Sequence, residues 1–194
     1  MNISALAINL PHRIDRYDHI SSEIKKLAVE TFEIVEGIID ETKTCFQSQK
    51  KCIQIAKERK LPYILVLEDD AIFTDNAKEN LELAFDTLQM MQWDMFFLGA
   101  NLQTLASRIS NNVLKLNGAY AAHAYMVHER FYDTILNLPH VCEMDVHYHD
   151  LMSNHNIYMC DPMIAYQLPS HSDLQDGYRD YNQAMFNNYL KFKP

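Results

Sequence analysis

Glycine is scarce in this chain. Four glycines in 194 residues form no G-x-G-x-x-G, no Walker-type phosphate loop and no G-x-S-x-G, which argues against dinucleotide-binding, P-loop and α/β-hydrolase readings. Cysteine is also sparse. Cys45, Cys52, Cys142 and Cys160 contain no C-x-x-C and match neither a zinc ribbon nor a secreted disulfide framework, so reduced and mostly buried thiols are expected. No apolar run approaches the roughly 20 residues of a membrane span. The opening M-N-I-S-A-L-A-I-N-L-P lacks the basic start, long apolar core and small-residue cleavage site of a signal peptide, so a cytoplasmic location is expected. Positive charge is short too: 17 Lys and Arg face 26 Asp and Glu, a net −9. Nonspecific nucleic-acid binding depends on neutralising phosphates and is disfavoured. A small anionic ligand held by a few arginines and a metal remains compatible.

What is present is an ordinary globular composition, 48% apolar and 22% charged, sufficient for one domain with a real core. No repeat, low-complexity tract or linker divides residues 1–194. Ile3 to Leu10, Thr31 to Val35, Tyr63 to Leu67 and Trp93 to Leu98 read as short apolar or β-rich strands. Asp15 to Leu27, Thr44 to Lys60 and Asn76 to Met91 read as helices between them. The last carries Leu81, Ala84, Phe85 and Leu88 as a helical stripe. This alternation predicts an α/β fold with a mostly parallel sheet and helices on both faces. In such sheets ligands bind beyond the carboxyl ends of the strands. Further on, Asn117-Gly118 predicts a hairpin between Val113–Leu116 and Ala119–Val127. Helices are expected over Glu129–Leu138 and Val146–Asn154, and short strands over Ile157–Cys160 and Met163–Leu168. The terminal N-N-Y-L-K-F-K-P is basic and aromatic. It suits peripheral contact with a membrane, such as the inner face of the cytoplasmic membrane, although such tails are ordinarily the solvated end of a domain.

The strand Tyr63 to Leu67 runs straight into Glu68, Asp69 and Asp70. Adjacent carboxylates repel, and burying them unpaired is costly. Either they sit in water at a turn, or a cation is expected there; Mn2+ or Mg2+ takes such oxygens and keeps positions for phosphates. Arg13 and Arg16 follow the first strand, with forks suited to phosphate but with Asp15 and Asp18 as local partners. The later stretch H-V-C-E-M-D-V-H-Y-H-D holds His140, Glu143, Asp145, His147, His149 and Asp150. His147 and His149 diverge on a helix, which disfavours zinc. A general base at Asp145 or Asp150 is the better functional reading, against a plain polar helix start. In S-H-S-D-L, His171 offers a nitrogen ligand, or the segment is a loop with Ser172 or Asp173 as a cap.

Taken in order, these blocks resemble glycosyltransferase family 25, the lipooligosaccharide and collagen galactosyltransferases. I-N-L-P-H-R-I-D-R (Ile8 to Arg16) resembles the family's opening strand-turn. T-C-F-Q-S-Q (Thr44 to Gln49) resembles its G-C-x-x-S-H, with Thr44 for the glycine and Gln49 for the histidine. E-D-D, W-D-M-F-F-L-G, G-A-Y-A-A-H-A-Y-M-V, M-D-V-H-Y-H-D-L-M and P-M-I-A-Y-Q-L-P-S-H-S-D-L follow in family order. His128 and its neighbours depart from the family's serine-arginine. The resemblance implies a GT-A-type fold with a small β/α C-terminal part. Residues 1–100 would form the nucleotide-sugar half and 101–194 the acceptor and catalytic half. It implies a metal-dependent, inverting transfer of a hexose, galactose being the sugar the family resemblance points to, from a UDP-sugar to a glycan or lipid-linked glycan. It places the nucleotide-sugar along Asn9, Leu10, Arg13, Arg16 and Ser48, with Glu68 or Asp69 positioning sugar or ribose. It makes Asp70, with His171, the metal ligand set, and Asp145 the base, with Asp150 as its alternative.

Overall fold

The computed structural model describes residues 2–39, 45–172 and 177–194; Thr44 and Asp173 lie outside them. In the first half β1 (Ser4–Asn9), α1 (Ile14–Glu23), β2 (Thr31–Glu36), α2 (Phe46–Glu58), β3 (Tyr63–Glu68), α3 (Ala77–Gln89) and β5 (Met95–Phe97) alternate as expected. One strand was not foreseen: β4 (Ala71–Phe73) directly follows the acidic turn. The second half holds β6 (Asn101–Leu102), β7 (Ser107–Arg108), β8 (Val113–Lys115), β9 (Ala119–Tyr120), β10 (Ala124–His128), α4 (Tyr132–Leu136), α5 (Met144–Leu151), β11 (Ile157–Cys160), β12 (Ala165–Gln167), β13 (Ser170–Ser172), β14 (Gly177–Arg179) and α6 (Asn182–Phe192).

Eight strands form the main sheet in the order β2-β1-β3-β10-β5-β11-β8-β7. The β1–β2, β1–β3 and β5–β11 pairs are parallel, and β10 lies antiparallel between β3 and β5. With β8 antiparallel to β11 and β7 antiparallel to β8, six strands share one direction and only β10 and β8 oppose it. Alternation along each strand feeds two cores. Leu6, Ile8, Ile64, Val66 and Tyr125 pack under α2, α4 and α5; Ala5, Ala7, Leu65, Leu67 and Met126 pack under α1 and α3. The predicted α3 stripe, Leu81, Ala84, Phe85 and Leu88, is buried throughout.

Two expectations are corrected. Asn117-Gly118 does not close a hairpin. β8 pairs with β11 and β7, whereas Ala119–Val127 divides into β9, which pairs with β6, and β10. The reason is burial: Ala124, Tyr125, Met126 and Val127 are apolar toward both faces and belong in the centre of the sheet. Asn117 and Gly118 instead dock a loop, Asn117 Nδ2 donating to the Leu105 carbonyl and the Gly118 carbonyl accepting from Gln103 N–H. The C-terminal tail is likewise not a solvated end. It forms α6, whose Met185 and Tyr189 are buried, with the Tyr189 hydroxyl bonded to Asp161. All four cysteines are free, Cys52 and Cys160 fully buried. Among the described residues, no helix is long and apolar enough to cross a membrane.

Close approach of backbone explains one glycine. A Cβ on Gly99 would fall 2.0 Å from the Ala165 carbonyl oxygen, and Ala165 N–H bonds back to Leu98. Gly99→Ala is therefore expected to lower stability by about 3 kcal/mol, the upper end of overpacking costs. Urea denaturation measures it, and a loss under about 0.5 kcal/mol would contradict this packing.

Candidate functional site

β1, β3 and β5 end on the same side of the sheet, and β3 delivers its acidic turn there. A cavity of about 330 Å³ opens above it. It is lined by Leu10, Arg16, Ser48, Glu68, Asp69 and Asp70, together with Asn101, Tyr120, Asp145, Gln167, Arg179 and Tyr181; Gln167 pairs with Ala71 directly beside the acidic turn.

The three acids have different partners. Asp69 is buried and fully engaged: Asn9 Nδ2 donates to Oδ2 at 2.8 Å and Arg16 to Oδ1 at 2.9 Å. Arg16 also donates to Ser170 Oγ at 2.6 Å and to the His171 carbonyl at 3.1 Å, tying the turn to β13. Asp70 lies 3.6 Å from Arg16, yet its Oδ1 is buried without a hydrogen-bond partner. Glu68 Oε1 accepts from Gln49 Nε2 at 3.0 Å. Desolvation, and then the charge of Asp70, push Glu68 up to about 8. Desolvation pushes Asp70 up to about 6, against the opposing pull of Arg16.

These shifts have a consequence for stability. Both carboxyls bind protons more readily folded than unfolded, where the ordinary values are near 4. Their stabilising contribution is full below about pH 4 and is lost as pH rises through about 6 and then about 8. In cation-free buffer the melting temperature of the wild type should fall between pH 5 and 8 relative to Glu68→Gln, whose neutral amide removes one of the two titrations. Parallel melting curves for the two proteins would contradict this.

A hard divalent cation prefers carboxylate oxygen and often keeps water or phosphate in its other positions. Asp70 lines the cavity, and its Oδ1, without a hydrogen-bond partner, fits that requirement. Among the described residues no three His, Cys, Asp or Glu side chains converge in a metal-ligating group. The His171 ring packs edge-on to Tyr178, 5.8 Å between centroids, and does not line the cavity; its contribution is the carbonyl that Arg13 and Arg16 address.

The other anticipated residues divide by position. Asp145, in the first turn of α5, lines the cavity, and desolvation raises its pKa. Asp150 is exposed beside His149, outside the lining. Ser48 is buried and holds the chain at Ile38, accepting from its N–H at 2.7 Å. Arg13 grips Asp15 with both arms of its fork. Of the histidine cluster, His147 leans on Phe46 and His149 stacks on Tyr120 at 4.8 Å. Other residues complete the site: Arg179 from β14, Tyr181 just before α6, Asn101 from β6, and Gln167 of β12, the glutamine of the closing P-M-I-A-Y-Q block.

Residues 38–137 match the family model described as Glycosyltransferase family 25 (LPS biosynthesis protein). The chain belongs to glycosyltransferase family 25. It is thereby an enzyme of the glycosyltransferase class. No curated protein sequence matches it significantly. Among solved structures, TarS of S. aureus in complex with UDP-GlcNAc is similar at a TM-score of 0.58 and 9% identity, over 98% of this chain and 66% of that one. UDP-glucose pyrophosphorylase complexed with UDP-glucose is similar at 0.55 and 8% identity, over 98% of this chain and 97% of that one. At such identities the likeness is one of fold, a GT-A-type mixed sheet flanked by helices, in agreement with the family.

Proposed function

We propose that this family 25 glycosyltransferase moves a hexose, with galactose the first candidate, from a UDP-sugar to a glycan or lipid-linked glycan in lipopolysaccharide or other surface-polysaccharide synthesis. The observation carrying this reading is the acidic turn of β3 and Asp145 lining one cavity at the carboxyl ends of the parallel strands. TarS and the pyrophosphorylase, both solved with UDP-sugars, favour the same donor class.

Asp70 would hold Mn2+ or Mg2+, which when bound neutralises charge on the departing diphosphate. Arg16 keeps the turn rigid through Asp69 and adds positive charge beside it. Asp145 takes the proton of the acceptor hydroxyl as that oxygen bonds to the anomeric carbon and the bond from that carbon to the diphosphate breaks. One displacement inverts the anomeric centre. Desolvation raises the pKa of Asp145, the direction that makes a carboxylate a better proton acceptor. The exposed Phe186 and Leu190 of α6, with Lys191 and Lys193 nearby, support peripheral contact with an anionic membrane, on the cytoplasmic side where nucleotide sugars are made.

The test is UDP release from UDP-galactose, UDP-glucose and UDP-N-acetylglucosamine, with and without Mn2+ and glycan acceptors. Acceptor-stimulated, cation-dependent UDP release is expected. Release of inorganic phosphate without an acceptor would instead indicate a phosphohydrolase, and cation-dependent UDP binding without turnover a binding module.

A further inference from the structure

Gln49 is completely buried and outside the cavity, yet it is bonded to one of the cavity's acids. Its amide joins a one-way chain across three elements. Tyr148 of α5 donates to the Tyr125 hydroxyl at 2.9 Å; Tyr125 of β10 donates to Gln49 Oε1 at 2.6 Å; Gln49 Nε2 donates to Glu68 Oε1 at 3.0 Å and to Cys45 Sγ at 3.3 Å. Both tyrosines are fully buried, and burial pushes their hydroxyls above the ordinary range, so they remain donors at any working pH. A fully satisfied buried network specifies a single arrangement. This one fixes the Glu68 carboxyl against α5, the helix that carries Asp145 one turn earlier.

Position 49 needs a donor and an acceptor on opposite sides of one planar group. Glutamine has both, and so does a neutral imidazole. A glutamate would replace the amide donor that Glu68 Oε1 accepts from with a second carboxyl, and a methionine would leave Glu68 Oε1 and the Tyr125 hydroxyl without this partner.

We propose that Gln49, backed by Tyr125 and Tyr148, is a positioning residue that presents Glu68 to the hydroxyls of the donor sugar, so that the enzyme binds a UDP-hexose more tightly than UDP. The proposal rests on the function proposed above and assigns its sugar contact to Glu68. Asp69 is already saturated by Asn9 and Arg16.

Calorimetric titration in Mn2+ with UDP, and with UDP-galactose, UDP-glucose and UDP-N-acetylglucosamine, tests this. Wild type should bind one UDP-hexose more tightly than UDP. Gln49→Met should weaken that UDP-hexose roughly tenfold while UDP affinity changes less than twofold, and Gln49→His should restore most of the difference. Tyr125→Phe, which removes only the hydroxyl, should shift affinity in the same direction and provides the measurement if Gln49→Met does not fold. Equal weakening of UDP and UDP-hexose, no weakening of either, or no recovery in Gln49→His would overturn the positioning role. A wild type that binds UDP but none of the hexoses more tightly would overturn it as well. A wild type that binds no uridine nucleotide would instead overturn the proposed function on which it rests.

Discussion

Asp145→Asn is expected to lower kcat by roughly 10²- to 10⁴-fold, the range lost with a general base, while the donor KM moves less than about threefold. The asparagine keeps size and hydrogen bonding but cannot take a proton at working pH. Asp145 sits in the first turn of α5 and lines the same cavity as the acidic turn. Desolvation raises its pKa, so the acid limb of the wild-type kcat profile should lie above the ordinary aspartate range. Activity rises with pH through that limb, because only the deprotonated form accepts the hydroxyl proton. Asp150→Asn is the control: its carboxylate is 74% exposed and lies beside His149, away from the cavity. A kcat within about twofold of wild type in Asp145→Asn, with a large loss in Asp150→Asn, would exchange the two roles.

Asp70→Ala is expected to remove cation-dependent turnover, a loss of roughly 10³-fold, or about 4 kcal/mol of transition-state stabilisation. The fold should survive and become slightly more stable in cation-free buffer near neutral pH. Asp70 brings a desolvated carboxyl into contact with Glu68 and Asp69, and Arg16 reaches it only at 3.6 Å. Asp69→Ala should behave differently. It strips Asn9 and Arg16 of their shared partner and breaks the tie between the turn and β13, so lower melting temperature and lower activity should appear together. Melting curves and kinetics of the two variants separate a ligand-holding acid from a scaffold acid.

The first half was legible because its signals are local. Apolar runs ending at Pro11, Glu68 and Gly99 mark strand ends, and the α3 stripe repeats with helical period. The acidic turn was legible because its strand ends pointed to the ligand-binding edge. The place of β10 was not, since an antiparallel strand inserted between β3 and β5 is decided by burial on both faces, and Asn117-Gly118 supplied a competing turn signal. The bonds of Asn9 and Arg16 to Asp69 were not legible, because a partner 53 or 60 residues away leaves no mark in local pattern. Arg179 and Tyr181 carry no motif of their own and reach the cavity only because β14 and α6 bring them back to the sheet, with Met185 and Tyr189 buried as the anchor. Gln49 was visible only as a departure from the family's histidine; its meaning came from the two tyrosines on other elements.

The most direct test of the account is calorimetric titration of UDP-galactose into wild type and Asp70→Ala, each with Mn2+ and with a chelator. The account predicts binding by wild type in Mn2+, at least tenfold weaker binding in chelator, and no Mn2+ enhancement in Asp70→Ala. Equal enhancement by Mn2+ in both proteins would contradict the claim that the acidic turn of β3 is the cation-dependent platform for the nucleotide sugar.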